Sequence, residues 1–197
     1  MPPISSFSLH PSYFVLHPSL GIAVSQKPSG EKFSLWIVPT GDVYDRLSLM
    51  IRRLSARYGA PEFPPHVTLL ASVLGPRSEL IHRAAQVAAA LRPFVVRLNE
   101  IDFLDAYFRC LFVRAALTEP LKRAHHAACQ AFGRRCEPAF MPHLSLVYGD
   151  FPPSLKEKMI AEIGPRLDVQ FKVRSLHLYR THGEPSHWRR VESFGLH

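Results

Sequence analysis

The stretch Pro65–Leu69, PHVTL, returns 77 residues later as Pro142–Leu146, PHLSL. Both copies read proline, histidine, apolar, hydroxyl, apolar, and the alternation of apolar and polar residues is typical of a strand. One copy of such a short pattern would be weak evidence, because a lone histidine is more often a hydrogen-bonded core residue. Two copies with the same proline flank predict a duplicated structural unit whose two histidines act together.

The residue types in the two copies fit phosphodiester hydrolysis. Side chains alternate along a strand, so His66 shares a face with Thr68, and His143 shares a face with Ser145. An imidazole titrates near neutrality and can act as a general base or a general acid. The hydroxyls can donate hydrogen bonds to phosphate oxygens. The alternative of a zinc site lacks support, because neither copy supplies a His-x3-His spacing or a nearby carboxylate.

The elements around the two copies repeat in the same order. Order is expected to begin near Phe33, before a strand at Leu35–Val38, and the apolar stripe from Val43 to Tyr58 predicts a helix with Gly59 as its C-cap. Periodicity and glycine or proline breaks predict the remaining segments. They are an extended segment at 61–73, helices at 77–91, 120–132 and 152–164, strands at 94–104, 107–116, 169–179 and 188–194, and a strand holding His143. This order predicts an α+β protein with two αβ lobes, each with an antiparallel sheet, related by an approximate two-fold axis around a central cleft.

Composition bounds the class of protein. With 197 residues and 47% hydrophobic content, the chain can bury a core as one domain, which we place at 33–197 after a flexible, Ser- and Pro-rich extension at 1–32. The formal charge of +8 favours an anionic partner such as a phosphate ester or nucleic acid. No stretch is apolar enough to cross a membrane.

Three cysteines with no C-x-x-C pair imply neither a disulfide framework nor a cysteine zinc site. We therefore expect a reducing compartment, the cytoplasm. We also expect a monomer. A bridge between Cys129 and Cys136 stays open, because only six residues separate them.

The sequence resembles the two-histidine (2H) phosphoesterase superfamily, whose mark is a duplicated histidine, apolar, hydroxyl, apolar motif. Within it, the chain is most similar to the cyclic nucleotide phosphodiesterases of plant and yeast type. This similarity lies in longer phrases than the bare motif: Ser34–Trp36 (SLW), Gly59–Thr68 (GAPEFPPHVT), Tyr107–Cys110 (YFRC) and Met141–Tyr148 (MPHLSLVY). The resemblance implies a bilobal fold with a water-filled cleft and no cofactor or metal.

The resemblance also implies an activity and roles for residues. The implied reaction is hydrolysis of nucleoside 2′,3′-cyclic phosphates to 2′-phosphates, or of ADP-ribose 1″,2″-cyclic phosphate, with His66 and His143 catalytic. Thr68 and Ser145 would bind the phosphate. Three aromatic residues are candidates to line the cleft, although each fits the core equally well: Trp36, Phe108 and Tyr148.

Three points stay open on the sequence alone. A symmetric motif does not fix which histidine is the base. Our starting hypothesis is that His143 is the base and His66 the acid. Tyr148 alternates away from His143 and needs a bend in the strand to reach the site. RNA ends are a second class of substrate, through a 2′,5′ ligase or phosphodiesterase activity, and a non-catalytic nucleotide- or RNA-binding module is a third function compatible with the charge.

Overall fold

The computed structural model describes residues 30–136 and 138–197. Strands and helices follow one another over this part of the chain as β1 (Phe33–Ile37), α1 (Asp42–Tyr58), β2 (Val67–Val73), α2 (Arg77–Ala89), β3 (Phe94–Asp102), β4 (Leu111–Ala115), α3 (Glu119–Ala131), β5 (His143–Val147), α4 (Pro153–Ile163), β6 (Arg166–Val173), β7 (Ser175–Arg180) and β8 (Arg189–Gly195). Two short 3₁₀ helices lie at Tyr107–Arg109 and Pro185–His187. Within this part, no helix combines the length and apolar character needed to cross a bilayer.

All eight strands form one antiparallel sheet in the order β6-β3-β4-β5-β2-β1-β7-β8. The middle of this order separates two halves of four strands, and the units β1-α1-β2-α2 and β4-α3-β5-α4 occupy equivalent places in them. The strands β2 and β5, which follow the two prolines of the repeated motif, meet at the centre. This arrangement confirms the predicted α+β fold with two related lobes.

Helix α1 confirms the helix predicted from the apolar stripe between Val43 and Tyr58. The side chains of Leu47, Ile51 and Leu54 are buried along one stripe. Gly59 ends the helix in the left-handed conformation at φ 66°, as its C-cap prediction requires. The helix packs against β5, whereas α3 packs against β2, so each of these helices crosses to the other half of the sheet.

The predicted strand at 169–179 is wrong as one element, because it is two strands. Strand β6 pairs with β3 in one half of the sheet, and β7 pairs with β1 in the other. The chain changes halves at Arg174, where the alternating burial of β6 gives way to four consecutive buried side chains in β7. The difference follows from position in the sheet, because β6 is an edge strand and β7 lies between β1 and β8.

The predicted strand at 107–116 is wrong in its first third. Tyr107–Arg109 forms a 3₁₀ turn, in which the Arg109 amide donates to the Ala106 carbonyl, and β4 starts only at Leu111. The aromatic residues that suggested a strand, Tyr107 and Phe108, instead contact each other, and Phe108 also contacts Tyr148.

The N-terminal extension predicted at 1–32 lies outside the described residues up to position 29. Its last two residues contact the folded part of the chain. Glu31 accepts a hydrogen bond from Arg180 at 2.6 Å, and the Lys32 carbonyl accepts one from the Thr181 amide at 2.7 Å.

A buried lysine holds the segment that precedes the 3₁₀ turn. Lys156 of α4 is 1% exposed, and its Nζ donates to the Leu104 carbonyl at 2.9 Å and to the Asp105 carboxylate at 3.4 Å. Because a buried ammonium needs such partners, its position fixes the start of the turn that carries Phe108.

Replacing this lysine tests its role. Lys156→Met should lower the free energy of unfolding by about 1–3 kcal/mol, because the Leu104 carbonyl loses its charged donor. Urea denaturation measures the change, with Lys158→Met as the matched control on the exposed side of the same helix. Equal midpoints for the two variants would contradict a structural role for Lys156.

Candidate active site

The central strand pair brings both histidine motifs onto one face of the sheet. Val67 pairs with Leu144 in antiparallel register. Extending that register by one residue in each direction sets His66 opposite Ser145, and Thr68 opposite His143. Each imidazole therefore faces the hydroxyl of the other motif across the strand boundary, while Val67 and Leu144 point to the side covered by helices.

The two imidazoles are held in the same way. Nδ1 of His66 lies 2.6 Å from the Pro64 carbonyl, and Nδ1 of His143 lies 2.9 Å from the Met141 carbonyl. A carbonyl oxygen only accepts, so both Nδ1 atoms carry the proton and both Nε2 atoms keep a lone pair. Neither Nε2 atom has a hydrogen-bond partner among the described residues.

The prolines of the motif explain this shared geometry. Each accepting carbonyl belongs to the residue directly before Pro65 or Pro142. A residue before proline is restricted to extended backbone, which limits the direction of its carbonyl group. The proline flank thus orients the acceptor that selects the histidine tautomer.

Burial keeps both histidines neutral. Desolvation lowers the pKa of His66 from 6.5 to about 4, against a smaller raising effect of the Pro64 carbonyl, and the nearby His143 lowers it further. Desolvation also lowers the pKa of His143, as do the positive charges of Arg109 and Arg114.

The two hydroxyls differ in their present partners. The Thr68 hydroxyl makes no hydrogen bond within the described part of the chain, so it is available to a ligand. Ser145 Oγ donates to the Phe108 carbonyl at 3.0 Å. Because a serine hydroxyl has one proton, donation to a phosphate would require Ser145 to release that carbonyl.

The predicted aromatic residues occupy three different positions. Trp36 is 1% exposed and stacks on the His66 ring at 3.5 Å, so it supports the imidazole from behind and presents no open surface. Phe108 is 54% exposed at the edge of the site. Tyr148 is buried and stacks on Phe63 at 3.7 Å.

Tyr148 reaches the site because β5 ends at Val147, which frees the next residue from strand alternation. Burial raises the pKa of the Tyr148 hydroxyl, and the Ser145 hydroxyl beside it partly offsets that effect. The Tyr148 ring also lies 5.9 Å from Trp188, which in turn lies 6.3 Å from His66. Tyr148 therefore belongs to the aromatic group around the first histidine.

Sequence reasoning missed two arginines beside His143. Arg114 lies directly opposite His143 in the β4–β5 pairing and forms an ion pair with Asp102. Arg109 is exposed and has no carboxylate partner among the described residues. Arg109 stood inside a phrase that carried the family resemblance, whereas the position of Arg114 follows only from strand register.

Comparison with solved structures identifies the class of fold. The chain is similar to TT0787 of Thermus thermophilus, with 17% identity, a TM-score of 0.59, and coverage of 84% of this chain and 97% of that one. It is also similar to E. coli LigT in complex with 3′-AMP, with 14% identity, a TM-score of 0.55, and coverage of 85% and 98%. The fold is that of the two-histidine phosphoesterases.

Sequence comparison then gives the family. A model of the 2′-5′ RNA ligase superfamily matches residues 44–185, so the chain belongs to this superfamily of two-histidine phosphoesterases. An Arabidopsis thaliana protein named cyclic phosphodiesterase is 22% identical over 156 residues, which cover 77% of this chain and 86% of that protein. The resemblance predicted from the repeated motif is thereby confirmed.

The neutral state of the histidines can be measured directly. Nitrogen-15 spectra of the histidine rings at pH 7 should show His66 and His143 as neutral Nδ1–H tautomers, and His66 should stay neutral until the pH falls toward 4. The reason is that burial disfavours the charged ring. His66→Gln and His143→Gln assign the signals, and a His66 signal that titrates at the ordinary value near 6.5 would contradict a desolvated ring.

Proposed function

We propose that this protein opens a cyclic phosphate on a nucleotide by general acid–base catalysis between His66 and His143, with no metal ion in the reaction. The observation that supports it most is the matched pair of neutral imidazoles on adjacent strands, each with Nδ1 bound to a carbonyl and Nε2 free. A binding module would not require two proton-transfer groups in this arrangement.

The proposed reaction needs two proton transfers, one from the attacking water and one to the departing oxygen. One imidazole takes a proton from water as the water oxygen attacks phosphorus, and the other donates a proton to the departing ribose oxygen as its bond to phosphorus breaks. Since both rings are neutral in the free protein, the acid acquires its proton together with the anionic substrate, whose charge favours the imidazolium.

The surrounding residues supply binding. Thr68 and Ser145 donate hydrogen bonds to the non-bridging phosphate oxygens, where charge is held through the transition state. Phe108, half-exposed at the edge of the site, offers a surface on which a base can stack. Trp36 keeps the His66 ring in place from behind.

The substrate class follows from the relatives and the site together. We propose a nucleoside 2′,3′-cyclic phosphate, opened to the 2′-phosphate, or ADP-ribose 1″,2″-cyclic phosphate. The name of the Arabidopsis relative, cyclic phosphodiesterase, and the complex of LigT with 3′-AMP both support a nucleotide-sized ligand.

A second candidate is an activity on RNA ends or 2′,5′-linked oligonucleotides. Arg109 favours it, because this exposed guanidinium has no carboxylate partner among the described residues and its charge suits a second phosphate on a longer substrate. Substrate length therefore separates the two candidates.

The first test is hydrolysis of nucleoside 2′,3′-cyclic monophosphates in excess EDTA, with 2′- and 3′-phosphate products resolved. We expect His66→Ala and His143→Ala each to lower kcat by about 100-fold or more, because each removes one proton transfer. His82→Ala, which changes a histidine of α2 outside the site, is the matched control and should keep full activity.

The outcomes divide clearly when circular dichroism shows that each variant is folded. Activity retained by either alanine variant of the motif would contradict the two-histidine assignment. Turnover of 2′,5′-linked oligonucleotides without turnover of the cyclic mononucleotide would favour the RNA activity. No turnover of any of these substrates would leave the binding module.

The roles of the two histidines can be separated with an activated leaving group. A p-nitrophenolate needs no proton on departure, so a nitrophenyl phosphodiester should restore activity to the variant that lacks the acid but not to the variant that lacks the base. With His143 as base, His66→Ala is the variant that recovers. Recovery of His143→Ala instead would reverse the assignment.

A further inference from the structure

A second cluster of reactive side chains lies on the helix-covered side of β2. His125 and Cys129 lie one turn apart on α3, and Cys136 follows that helix in the chain. One ligand atom from each residue lies within 4.8 Å of the other two. His125 and Cys129 are buried, whereas Cys136 is partly exposed, and all three cysteine thiols of the protein are free.

The imidazole of this cluster is oriented toward the sulfur atoms. Nδ1 of His125 lies 2.9 Å from the Leu69 carbonyl, which can only accept, so Nδ1 carries the proton. Nε2 therefore accepts a hydrogen bond from the Cys129 thiol at 3.6 Å, so its lone pair points at Sγ. A histidine that binds a metal typically donates its other ring N–H to a carbonyl in this way.

The spacing of the ligand atoms fits a tetrahedral ion. Zinc bonds of about 2.3 Å to sulfur and about 2.0 Å to nitrogen put the two atoms about 3.5 Å apart at the tetrahedral angle. The observed separation of His125 Nε2 and Cys129 Sγ, 3.6 Å, agrees with that edge. Phe140 stacks on the His125 ring at 3.8 Å with an interplanar angle of 1° and fixes the ring plane.

The end of α3 explains how Cys136 returns to Cys129. Gly133 adopts φ 61°, the Arg134 amide donates to the Cys129 carbonyl, and the Gly133 amide donates to the Gln130 carbonyl. These bonds form a Schellman turn, which reverses the chain at the helix end. The resulting spacing, His-x3-Cys-x6-Cys, has no C-x-x-C pair, so sequence reasoning passed over it.

We propose that His125, Cys129 and Cys136 bind a thiophilic divalent metal ion, zinc in the first place, with a fourth position open to solvent beside Cys136. Two thiolates and one imidazole are the donor set that zinc prefers over magnesium or calcium. The site is separate from the reaction at His66 and His143 and does not rest on the proposed function.

A disulfide between Cys129 and Cys136 is the competing use of these thiols. A disulfide would remove the thiol proton of Cys129 and leave the Nε2 lone pair of His125 without a hydrogen-bond donor. A metal ion would bind all three groups. The oriented imidazole therefore favours the metal.

The test uses the full chain, reduced and freed of metal, titrated with Co²⁺ without oxygen and then with Zn²⁺. We expect one Co²⁺ per chain, a thiolate-to-cobalt charge-transfer band with the visible bands of a tetrahedral site, and stoichiometric displacement by Zn²⁺. Cys129→Ser and Cys136→Ser should abolish the charge-transfer spectrum of the wild type and weaken Zn²⁺ binding by about 100-fold or more. Cys110→Ser, a buried cysteine outside the cluster, is the matched control and should bind as the wild type does.

A readout on the wild type guards against variants that fail to fold. Zn²⁺ should slow alkylation of the partly exposed Cys136 by at least about 10-fold in the folded chain, because a bound thiolate is not free to react. A reduced wild-type chain that shows neither the cobalt spectrum nor this protection would overturn the proposal. If the proposal is overturned in this way, mapping of a Cys129–Cys136 disulfide in the protein before reduction would assign the thiols to redox chemistry.

The metal test and the activity test fail independently. Loss of the cobalt spectrum leaves hydrolysis by His66 and His143 untouched, and absence of hydrolysis leaves metal binding untouched. If EDTA reduces turnover of the wild type, Cys129→Ser shows whether the effect comes from the proposed metal site. This variant has no metal for EDTA to remove, so its turnover should not respond to EDTA.

Discussion

The pairing of Val67 with Leu144 is the contact on which the arrangement of the site depends. It joins the two halves of the sheet at a single residue pair, and both side chains are fully buried. So short a junction contributes few hydrogen bonds. The remaining contact between the two halves comes from α1, which packs on β5, and from α3, which packs on β2. Buried packing therefore fixes the register that sets each histidine opposite a hydroxyl.

The same junction accounts for the electrostatics of the site. Two imidazoles near the middle of a sheet lose most of their hydration, which lowers both pKa values, and the arginines beside His143 act in the same direction. Neutral rings can be packed against Trp36 and Phe112 without the cost of burying a charge. In the proposed reaction, an anionic ligand would supply the field that makes a protonated ring favourable. Ligand binding and protonation of the ring would then be coupled.

Much of the fold and the central residues of the candidate site could be predicted because local patterns agree with the global structure. The helix at Asp42–Tyr58 has a regular apolar stripe and a glycine cap, and the duplicated motif supplied both histidines and both hydroxyls. The apolar residues of the sequence change from odd to even positions at Arg174, but that change does not show which strands the two pieces join. Arg114 lies beside His143 only through the pairing of β4 with β5. Trp36 supports the His66 imidazole only through the packing of neighbouring strands. A sequence motif relates residues that are close in the chain, so it cannot show such tertiary contacts between distant residues.

The structure also connects the two sites. The His125 ring donates to the Leu69 carbonyl, one residue beyond Thr68. The cluster on the helix-covered side thus contacts the first motif through β2. Because this contact is made to a backbone carbonyl, a bound ion would stabilise the position of β2 without touching the side chains of the motif. The two sites therefore share a strand but no side chain, and the ion would take no part in the proton transfers.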